Sequence, residues 1–202
     1  LFRSIEDYDA LIVRGRTKVT KEVLTKASRL KVVGRCGVGV DNIDLAAAKE
    51  RGVTVVNAPV ATTVAVAEHA MALMLAMVRE ITKADAGLKA GIWYKKEIKG
   101  TELNGKILGV IGFGNIGSTV GKYAKAFGMN VTAYDLIAND DQIKDHGGEP
   151  VSLDELFSRA DVITLHVPLT DSTRHMINDQ AIAKMKDGVR IISAARGGVI
   201  DE

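Results

Sequence analysis

Three glycines interrupt the chain where a buried strand should give way to a helix. Residues 106–117, KILGVIGFGNIG, place Gly112, Gly114 and Gly117 in a G-x-G-x-x-G spacing. A helix start exposes unpaired N–H groups and the positive end of the helix dipole, so it favours a phosphate group. Gly112 permits the sharp turn, Gly114 lets a pyrophosphate approach the backbone, and Gly117 allows helix and strand to pack closely. The spacing therefore predicts a dinucleotide site.

An acidic residue strengthens this prediction. Asp135 ends the strand-like segment that follows the predicted helix. A carboxylate there can accept hydrogen bonds from both ribose hydroxyls of adenosine, and it repels a 2′-phosphate. The cofactor is thus predicted to be NAD rather than NADP. The alternative is a tight strand–helix turn with an unrelated surface aspartate, but the strand, the helix and the acid together favour the dinucleotide.

A basic segment, Arg14-Gly15-Arg16-Thr17-Lys18, directly follows another predicted strand. Open α/β sheets bind ligands beyond the carboxyl ends of their strands, and two arginines one residue apart suit a phosphate or carboxylate. A solvated basic loop explains this segment by itself at least as well.

A second glycine-rich segment, GRCGVGVDN at residues 34–42, also links a strand to a helix, with Asp41 or Asn42 as a possible N-cap. Its backbone N–H groups could hold a carboxylate, and a glycine-rich turn without a ligand is the alternative. Cys36 is expected to be a small core residue rather than a reactive thiol, because no local arrangement of charges argues for activation.

Arg196 follows the last predicted strand, within SAARGG at residues 193–198. A guanidinium at that strand end would face the nicotinamide side of a cofactor held by the first loop. It could bind a substrate carboxylate through two hydrogen bonds and polarise the neighbouring carbonyl.

The elements that must position these residues alternate between strand-like and helical segments. The strand-like runs are rich in Val, Ile and Leu and mostly continuous, as in strands that are covered on both faces by helices. They are residues 9–13, 30–33, 53–56, 106–111, 129–134, 161–166 and 189–192. Helices are predicted over residues 20–28, 42–51, 116–127, 152–158 and 179–186. This alternation predicts an α/β fold with a doubly wound parallel sheet.

One segment departs from the alternation of short strands and helices. Residues 63–91 read as a single long helix, too long for an ordinary crossover. We interpret residues 63–99 as the helix and loop that link two units, residues 1–62 and residues 100–202.

Composition excludes several functional classes. With 27 Lys and Arg against 25 Asp and Glu, the net charge of +2 gives no reason to expect nucleic acid or a membrane as partner. Aromatic residues make up only 4%, too few for base-stacking platforms. The one cysteine fits a reducing, cytoplasmic setting. No metal site is predicted.

Seven segments in order resemble the D-isomer-specific 2-hydroxyacid dehydrogenases, and most closely the phosphoglycerate-type members of that family. They are IVRGRTKVT, VVGRCGVGVDNIDLAAAKERGVTVVNAP, AEH, GTELNGKILGVIGFGNIG, FGMNVTAYD, ADVITLHVPLT and ARGGVIDE. The resemblance implies that residues 1–62 are part of a flavodoxin-like substrate domain, and that residues 100–202 are a Rossmann NAD-binding domain truncated at its C-terminus. It also implies a homodimer or homotetramer assembled through the NAD domain.

The resemblance assigns a role to each matching residue. Arg196 corresponds to the catalytic arginine, and Asp135 to the acid that binds the adenosine ribose. The cofactor-binding positions are Val38, Gly112, Gly114, Asn115, Ile116, Gly117, Asp135, Val167, Ala194 and Arg196. The substrate-binding positions are Arg14, Arg16, Gly37, Val38, Gly39 and Thr62.

Three residues depart from the family pattern. Thr62 stands where phosphoglycerate-type members commonly carry a substrate-contacting Asn, Ala65 replaces a Ser, and Ser193 replaces an Asn. The first of these weakens the assignment of a phosphoglycerate substrate.

The family's catalytic His and the Glu that orients it follow the ARGG motif, and we expect both ends of the sequence to be cut. None of the four histidines is assigned as the general acid. His69 is expected to pack in the core, His166 to support the cofactor loop, and His146 and His175 to lie at the surface. The 202-residue chain alone is therefore expected to bind NAD with negligible turnover.

The expected reaction is hydride transfer between NAD and C2 of a small anionic D-2-hydroxy acid. The preferred pair is 3-phospho-D-glycerate and 3-phosphohydroxypyruvate, the first step of serine biosynthesis. A glyoxylate/hydroxypyruvate or D-lactate-type reductase is the alternative substrate class. An NAD(H)-sensing corepressor of the C-terminal-binding-protein type is the alternative from a different functional class, and a non-catalytic structural fragment is a third.

Overall fold

Two separate sheets, with three and five parallel strands, organise residues 4–202, the part of the chain that the computed structural model describes. The chain divides after Thr62 into two compact units, so that each unit contains one sheet. Both sheets are entirely parallel in their neighbouring pairs. The α/β fold expected from the alternating segments is confirmed.

The first unit contains a sheet of strand order β1-β2-β3. Its elements are a 3-10 turn at Ile5–Asp7, β1 (Ala10–Val13), α1 (Lys21–Lys26), β2 (Val32–Arg35), α2 (Leu45–Glu50) and β3 (Thr54–Asn57). Its core joins fully buried side chains from helix and sheet, among them Leu24 and Val33. The narrower expectation of a flavodoxin-like domain remains a prediction.

The second unit contains a sheet of strand order β6-β5-β4-β7-β8. Its strands are β4 (Ile107–Ile111), β5 (Asn130–Tyr134), β6 (Glu149–Pro150), β7 (Val162–Leu165) and β8 (Arg190–Ser193). Its helices are α3 (Thr63–Val78), α4 (Ile81–Lys89), α5 (Asn115–Ala126), α6 (Asp140–Asp145), α7 (Leu153–Arg159) and α8 (Asp179–Ile182). Strand β4 has β5 on one side and β7 on the other, so the winding direction reverses beside it. Ligands of doubly wound sheets bind at this point.

The central strands are buried on both faces, which explains their continuous apolar sequence. All four residues of β7 are buried, and so are Leu108, Val110 and Ile111 of β4. Gly109 provides the space for α7, because a Cβ at this position would lie 2.6 Å from Cδ2 of Leu156. The doubly wound prediction is therefore confirmed.

The single helix predicted over residues 63–91 is wrong. Helix α3 ends at Val78, and α4 begins after Glu80, whose φ of 52° lies in the left-handed region. The Val78 carbonyl accepts the N–H of Thr101 at 2.7 Å, and the Glu80 carboxylate accepts the N–H of Lys99 at 3.2 Å. Tertiary hydrogen bonds thus replace the helical ones at this junction, which sequence periodicity could not reveal.

Helix α3 packs inside the second unit. Its buried Ala70 and Met74 share a core with Val120 and Ala124 of α5. His69 is exposed, so its expected place in the core is wrong. The division into residues 1–62, 63–99 and 100–202 stays a prediction.

Several element boundaries also differ from prediction. Helix α2 is capped by Asp44, which accepts the N–H of Ala47 at 2.9 Å, rather than by Asp41 or Asn42. The short strand β6 and helix α6 were not predicted, and α8 is shorter than expected. Within the described residues, no helix is long and apolar enough to cross a membrane.

Candidate functional site

A cavity of about 670 Å³ opens at the carboxyl edge of the second sheet, beside the point where the winding reverses. The residues that line it follow the ends of three strands: β4, β5 and β7. Five of the predicted cofactor positions are among them, namely Gly112, Gly114, Asn115, Asp135 and Val167. Ile116 and Gly117 lie in the adjoining first turn of α5.

Gly112 adopts a backbone conformation that favours glycine. Its φ is +91°, and a Cβ would lie 2.8 Å from the His166 carbonyl and 2.9 Å from the Val167 side chain. Its N–H donates to the Tyr134 carbonyl at 2.9 Å. The turn out of β4 therefore needs glycine for both conformation and space.

The other two glycines serve different purposes. A Cβ at Gly117 would collide with the Gly112 carbonyl oxygen and lie 3.1 Å from Cγ1 of Val110, so Gly117 lets α5 pack against the end of β4. A Cβ at Gly114 would meet nothing within 4 Å. The free space therefore lies at the helix start, where a phosphate would bind.

The start of α5 offers hydrogen-bond donors to that space. Gly114 is the N-cap and provides no side-chain cap. The first N–H groups of a helix have no partner within the helix, and the helix dipole adds positive potential. The residues present thus fit a dinucleotide pyrophosphate.

Asp135 makes more hydrogen bonds than the sequence suggested. Its Oδ2 accepts the N–H of Phe113 at 2.6 Å, and its Oδ1 accepts those of Ile137 and Ala138 at 2.7 and 3.0 Å. A carboxylate has about four acceptor positions, so about one remains for a ribose hydroxyl. Asp135 therefore holds the glycine turn in place as well as facing the cavity.

Two exposed apolar side chains beside Asp135 were missed by the sequence analysis. Leu136 is 57% exposed, Ile137 is 92% exposed, and both line the cavity. Exposed apolar side chains in the cavity wall next to Asp135 would suit the flat face of an adenine ring. The sequence feature that could have revealed them is a pair of apolar residues directly after the acidic residue that ends a predicted strand.

His166 lies deep in the cavity wall at the end of β7. Its Nε2 is 2.9 Å from Oγ1 of the fully buried Thr164, and its buried Nδ1 has no hydrogen-bond partner in the described chain. Burial lowers the pKa of His166 to about 4, because the charged imidazolium would lose its hydration. His166 is therefore neutral at pH 7. The His166 backbone lies close to Gly112, and the expected support of the cofactor loop by His166 stays a prediction.

The loop after β7 is connected to the segment that contains Arg196. The buried Thr173 hydroxyl donates to the Pro168 carbonyl at 2.6 Å and accepts the N–H of Thr170 at 2.8 Å. Further along, Ile177 donates to the Val199 carbonyl at 3.2 Å. Backbone hydrogen bonds therefore join the segment that follows this loop to the stretch after Arg196.

Arg196 and Ala194 follow β8, which pairs directly with β7. Neither residue lines the cavity. The exposed guanidinium of Arg196 donates to the Ala195 carbonyl at 3.0 Å. Among the described residues, no group of three or more His, Cys, Asp or Glu could hold a metal ion.

In the first unit, the basic loop (residues 14–18) follows β1, and the glycine-rich loop of residues 36–39 follows the neighbouring strand β2. Arg14 and Arg16 are exposed. A third arginine, which the sequence analysis did not assign, joins them: Nη2 of Arg35 lies 3.6 Å from where a Cβ of Gly15 would be. Pairing of Val13 with Arg35 in the sheet creates this proximity.

Asparagine side chains hold both loops. Asn42 donates to the carbonyls of Arg14 and Thr17 at 3.2 and 2.6 Å, and Asn57 donates to the Val38 carbonyl at 2.6 Å. The predicted cap residue Asn42 therefore shapes the basic loop instead.

The remaining predicted substrate positions also lie in this unit. Gly37 is buried with φ +142°, and a Cβ there would collide with the Arg35 guanidinium. Val38 and Gly39 are partly exposed, and Thr62 lies in the turn before α3. Cys36 is exposed, so its expected place in the core is wrong.

The family model for the NAD-binding domain of the D-isomer specific 2-hydroxyacid dehydrogenases matches residues 71–202. The chain belongs to this family. The resemblance, the NAD cofactor and the membership of an enzyme family are therefore confirmed.

Individual members of the D-2-hydroxyacid dehydrogenase family are closely similar. The chain is 55% identical to a Methanocaldococcus jannaschii protein named D-3-phosphoglycerate dehydrogenase, covering 100% of the chain and 39% of that protein. It is 52% identical to a Thermotoga maritima protein named hydroxypyruvate reductase, covering 100% of the chain and 65% of that protein. The chain thus spans less than two thirds of the length of either relative.

A solved family structure shares the fold. It is D-lactate dehydrogenase from Aquifex aeolicus, complexed with NAD and lactic acid, with a TM-score of 0.89 and 41% identity. The match covers 100% of this chain and 60% of that one.

Two glycine substitutions should separate folding from cofactor binding. Gly114→Ala fits the free space at a φ of −71°, so we expect stability within about 0.5 kcal/mol of the wild type. Its methyl group occupies the phosphate position, so NAD affinity should fall at least about tenfold. Gly117→Ala should instead lower stability by about 1–3 kcal/mol, because the methyl group meets Gly112. Urea unfolding and calorimetric NAD titration measure both effects. Unchanged NAD affinity in Gly114→Ala would contradict the assignment.

Burial of His166 predicts a pH dependence of stability. The unfolded imidazole, with a pKa near 6.5, binds a proton between pH 6.5 and 4, whereas the folded one does not. The free energy of unfolding should therefore fall as pH is lowered through this window, by up to about 3 kcal/mol from this residue. His166→Gln should flatten the slope in urea titrations from pH 7 to 4, whereas His146→Gln, which replaces an exposed side chain, should not. An equal slope in wild type and His166→Gln would refute the prediction.

Substitution of Asp135 should change the choice of dinucleotide. Asp135→Asn removes the negative charge but keeps an oxygen that can accept backbone N–H groups. We expect the preference for NAD over NADP to fall at least about tenfold in calorimetric titrations. Asp135→Ala should in addition lower stability, because three N–H groups lose their acceptor. An unchanged preference in both variants would contradict the role of this carboxylate.

Proposed function

We propose that the chain is part of an NAD-dependent dehydrogenase that oxidises 3-phospho-D-glycerate to 3-phosphohydroxypyruvate, the first step of serine biosynthesis. The supporting observation is a set of three arginines in the first unit, Arg14, Arg16 and Arg35, with Nη2 of Arg35 lying 3.6 Å from where a Cβ of Gly15, between the other two, would be. They lie at neighbouring strand ends, and none forms an ion pair with a carboxylate in the described chain.

A phosphate dianion matches this group. Guanidinium groups bind phosphate oxygens through charge-assisted, often bidentate hydrogen bonds. The Nε of Arg35 is buried without a partner, and its Nη1 donates to the Cys36 carbonyl at 2.6 Å, which fixes the plane of the group. The adjoining backbone of Gly37, Val38 and Gly39 would bind the substrate carboxylate, a role that rests on the family resemblance.

The roles proposed in the second unit follow from the same resemblance. Arg196 would bind the carboxylate and polarise the carbonyl that forms at C2. NAD supplies the hydride acceptor, held by the glycine turn, Asp135, Val167 and Ala194. Nothing in the described chain is assigned to remove the hydroxyl proton.

A second candidate is a hydroxypyruvate reductase. The 52% identity to the Thermotoga maritima protein of that name, with the larger share of its length matched, favours this alternative. The two candidate substrates differ in whether they carry a phosphate group. The effect of substituting the three arginines on turnover of each substrate therefore distinguishes the two candidates.

The experiment compares phosphorylated and unphosphorylated substrates in the whole protein that contains this chain. If the proposal holds, Arg14→Gln and Arg35→Gln should each lower kcat/KM for 3-phosphoglycerate by about 10–100-fold, since each removes a charged hydrogen bond to phosphate. Turnover of hydroxypyruvate should change by less than about threefold, a difference below 1 kcal/mol. Lys49→Gln, an exposed charge change on α2, is the control.

Two outcomes would count against phosphoglycerate. One is a wild-type preference for hydroxypyruvate. The other is an equal loss for both substrates in the arginine variants, which would indicate a structural role.

Assembly as a homodimer or homotetramer through the NAD-binding domain, and a cytoplasmic location, belong to the same proposal. The assembly rests on the family resemblance, and the location rests on the single cysteine.

A further inference from the structure

A second cavity, of about 220 Å³, lies at the opposite edge of the five-stranded sheet. Its lining includes Lys106, Asp161 and the segment before Arg190, which directly precede or begin β4, β7 and β8. The dinucleotide cavity is lined by residues that follow the strands. The two cavities are therefore separated by the length of the sheet.

Cations outnumber carboxylates in the lining of this amino-edge cavity. Lys106, Lys186 and Arg190 face Asp161 and Asp187 there. Asp161 already accepts two hydrogen bonds: its Oδ2 accepts the N–H of Ile107 at 2.8 Å, and its Oδ1 accepts from Nζ of Lys186 at 3.0 Å.

Electrostatics keep Asp161 ionised. Burial opposes ionisation, but the hydrogen bonds from Ile107 and Lys186, with the nearby charges of Lys186 and Lys106, hold the pKa of its carboxyl below the ordinary value. The charge of Lys186 is therefore used within the protein.

Lys106 and Arg190 are left without a carboxylate at ion-pair distance in the described chain. Both are partly buried. The hydrogen bond recorded for the Arg190 guanidinium runs from Nη2 to the neutral Oγ1 of Thr101, at 3.1 Å.

Asp187 is exposed and pairs with none of the three cations. Asp161 therefore serves both Lys186 and, from beyond ion-pair distance, Lys106. A bound anion would offset the cost of the remaining partly desolvated positive charge.

We propose that the amino-edge cavity binds a small oxyanion, a carboxylate or phosphate group, between Lys106, Arg190 and the Thr101 hydroxyl. The guanidinium fork and the ammonium group match such oxygens. A volume of about 220 Å³ admits a small acid but not a nucleotide.

The ligand would touch the junction that interrupts the long helical segment. The N–H of Thr101 donates to the Val78 carbonyl at the end of α3, and Val78 lines the same cavity. A bound oxyanion thus links the end of α3 to the starts of β4 and β8.

NMR titration of the ¹⁵N-labelled chain tests this site. NAD is present at a saturating concentration, so that its pyrophosphate occupies the glycine turn and the added oxyanions cannot bind there. Sodium phosphate and sodium acetate are added in separate arms, with sodium chloride at matched ionic strength as the blank. We expect saturable shifts of the Thr101, Gly188 and Arg190 amides in at least one oxyanion arm, and the arm that saturates at lower concentration identifies the preferred group.

The Lys106→Gln/Arg190→Gln variant should weaken this binding at least about tenfold, because two charged contacts are lost. Lys122→Gln on α5, an exposed charge change, should leave it unchanged. NAD affinity reports that the double variant remains folded, since the dinucleotide cavity lies at the other edge. Amides of residues 14–18 report any binding at the basic loop separately, so the outcome is independent of the proposed substrate.

Two results would overturn the proposal. In one, the shifts follow ionic strength equally in all three salts. In the other, they saturate with the same affinity in the double variant.

Discussion

The close approach of the first turn of α5 to the end of β4 is the constraint on which the second unit depends. Only a residue without a Cβ fits at Gly117, because the Gly112 carbonyl occupies that space. This contact aims the unpaired N–H groups of α5 at the cavity and brings the turn at Gly112 against the backbone of His166. The end of β4, the start of α5 and the end of β7 are thereby fixed together, and the anion-binding geometry exists before any ligand arrives.

The polar groups around this contact hold the protein together as well as face the cavity. Asp135 accepts three backbone N–H groups, so the acid expected to bind ribose also fixes the glycine turn. His166 is kept neutral by burial beside Thr164. Thr173 closes the loop that follows β7 and so steadies the connection towards Arg196. Because these groups are already held in place, less conformational entropy is lost when a ligand binds.

Anion recognition is divided between backbone and side chains across the chain. The dinucleotide cavity uses helix N–H groups, which favour phosphate without a full positive charge. In the two sites proposed above, the basic loop of the first unit and the amino-edge cavity of the second, guanidinium and ammonium groups would bind the anion instead. Arg35, Lys106 and Arg190 are partly buried, so electrostatic interactions of their charges are screened less by solvent than those of exposed lysines such as Lys49 and Lys122.

The sequence by itself determined the α/β alternation, because strands buried on both faces have continuous apolar runs. It also determined the glycine turn, the strand-ending acid and the family, because these depend on residue types at fixed local spacing. It misjudged the helix over residues 63–91, since Thr101 and Lys99 bond to Val78 and Glu80 from about twenty residues away. It assigned no role to Arg35 and Lys106, although both lie within the quoted glycine segments, and it missed Leu136 and Arg190, which lie outside them. Strand register places these side chains next to the proposed ligand sites. Tertiary packing also determines which of the charged ones lie within ion-pair distance of a carboxylate. Only the tertiary structure decides these properties, because parallel pairing brings together strand ends that are distant in the chain.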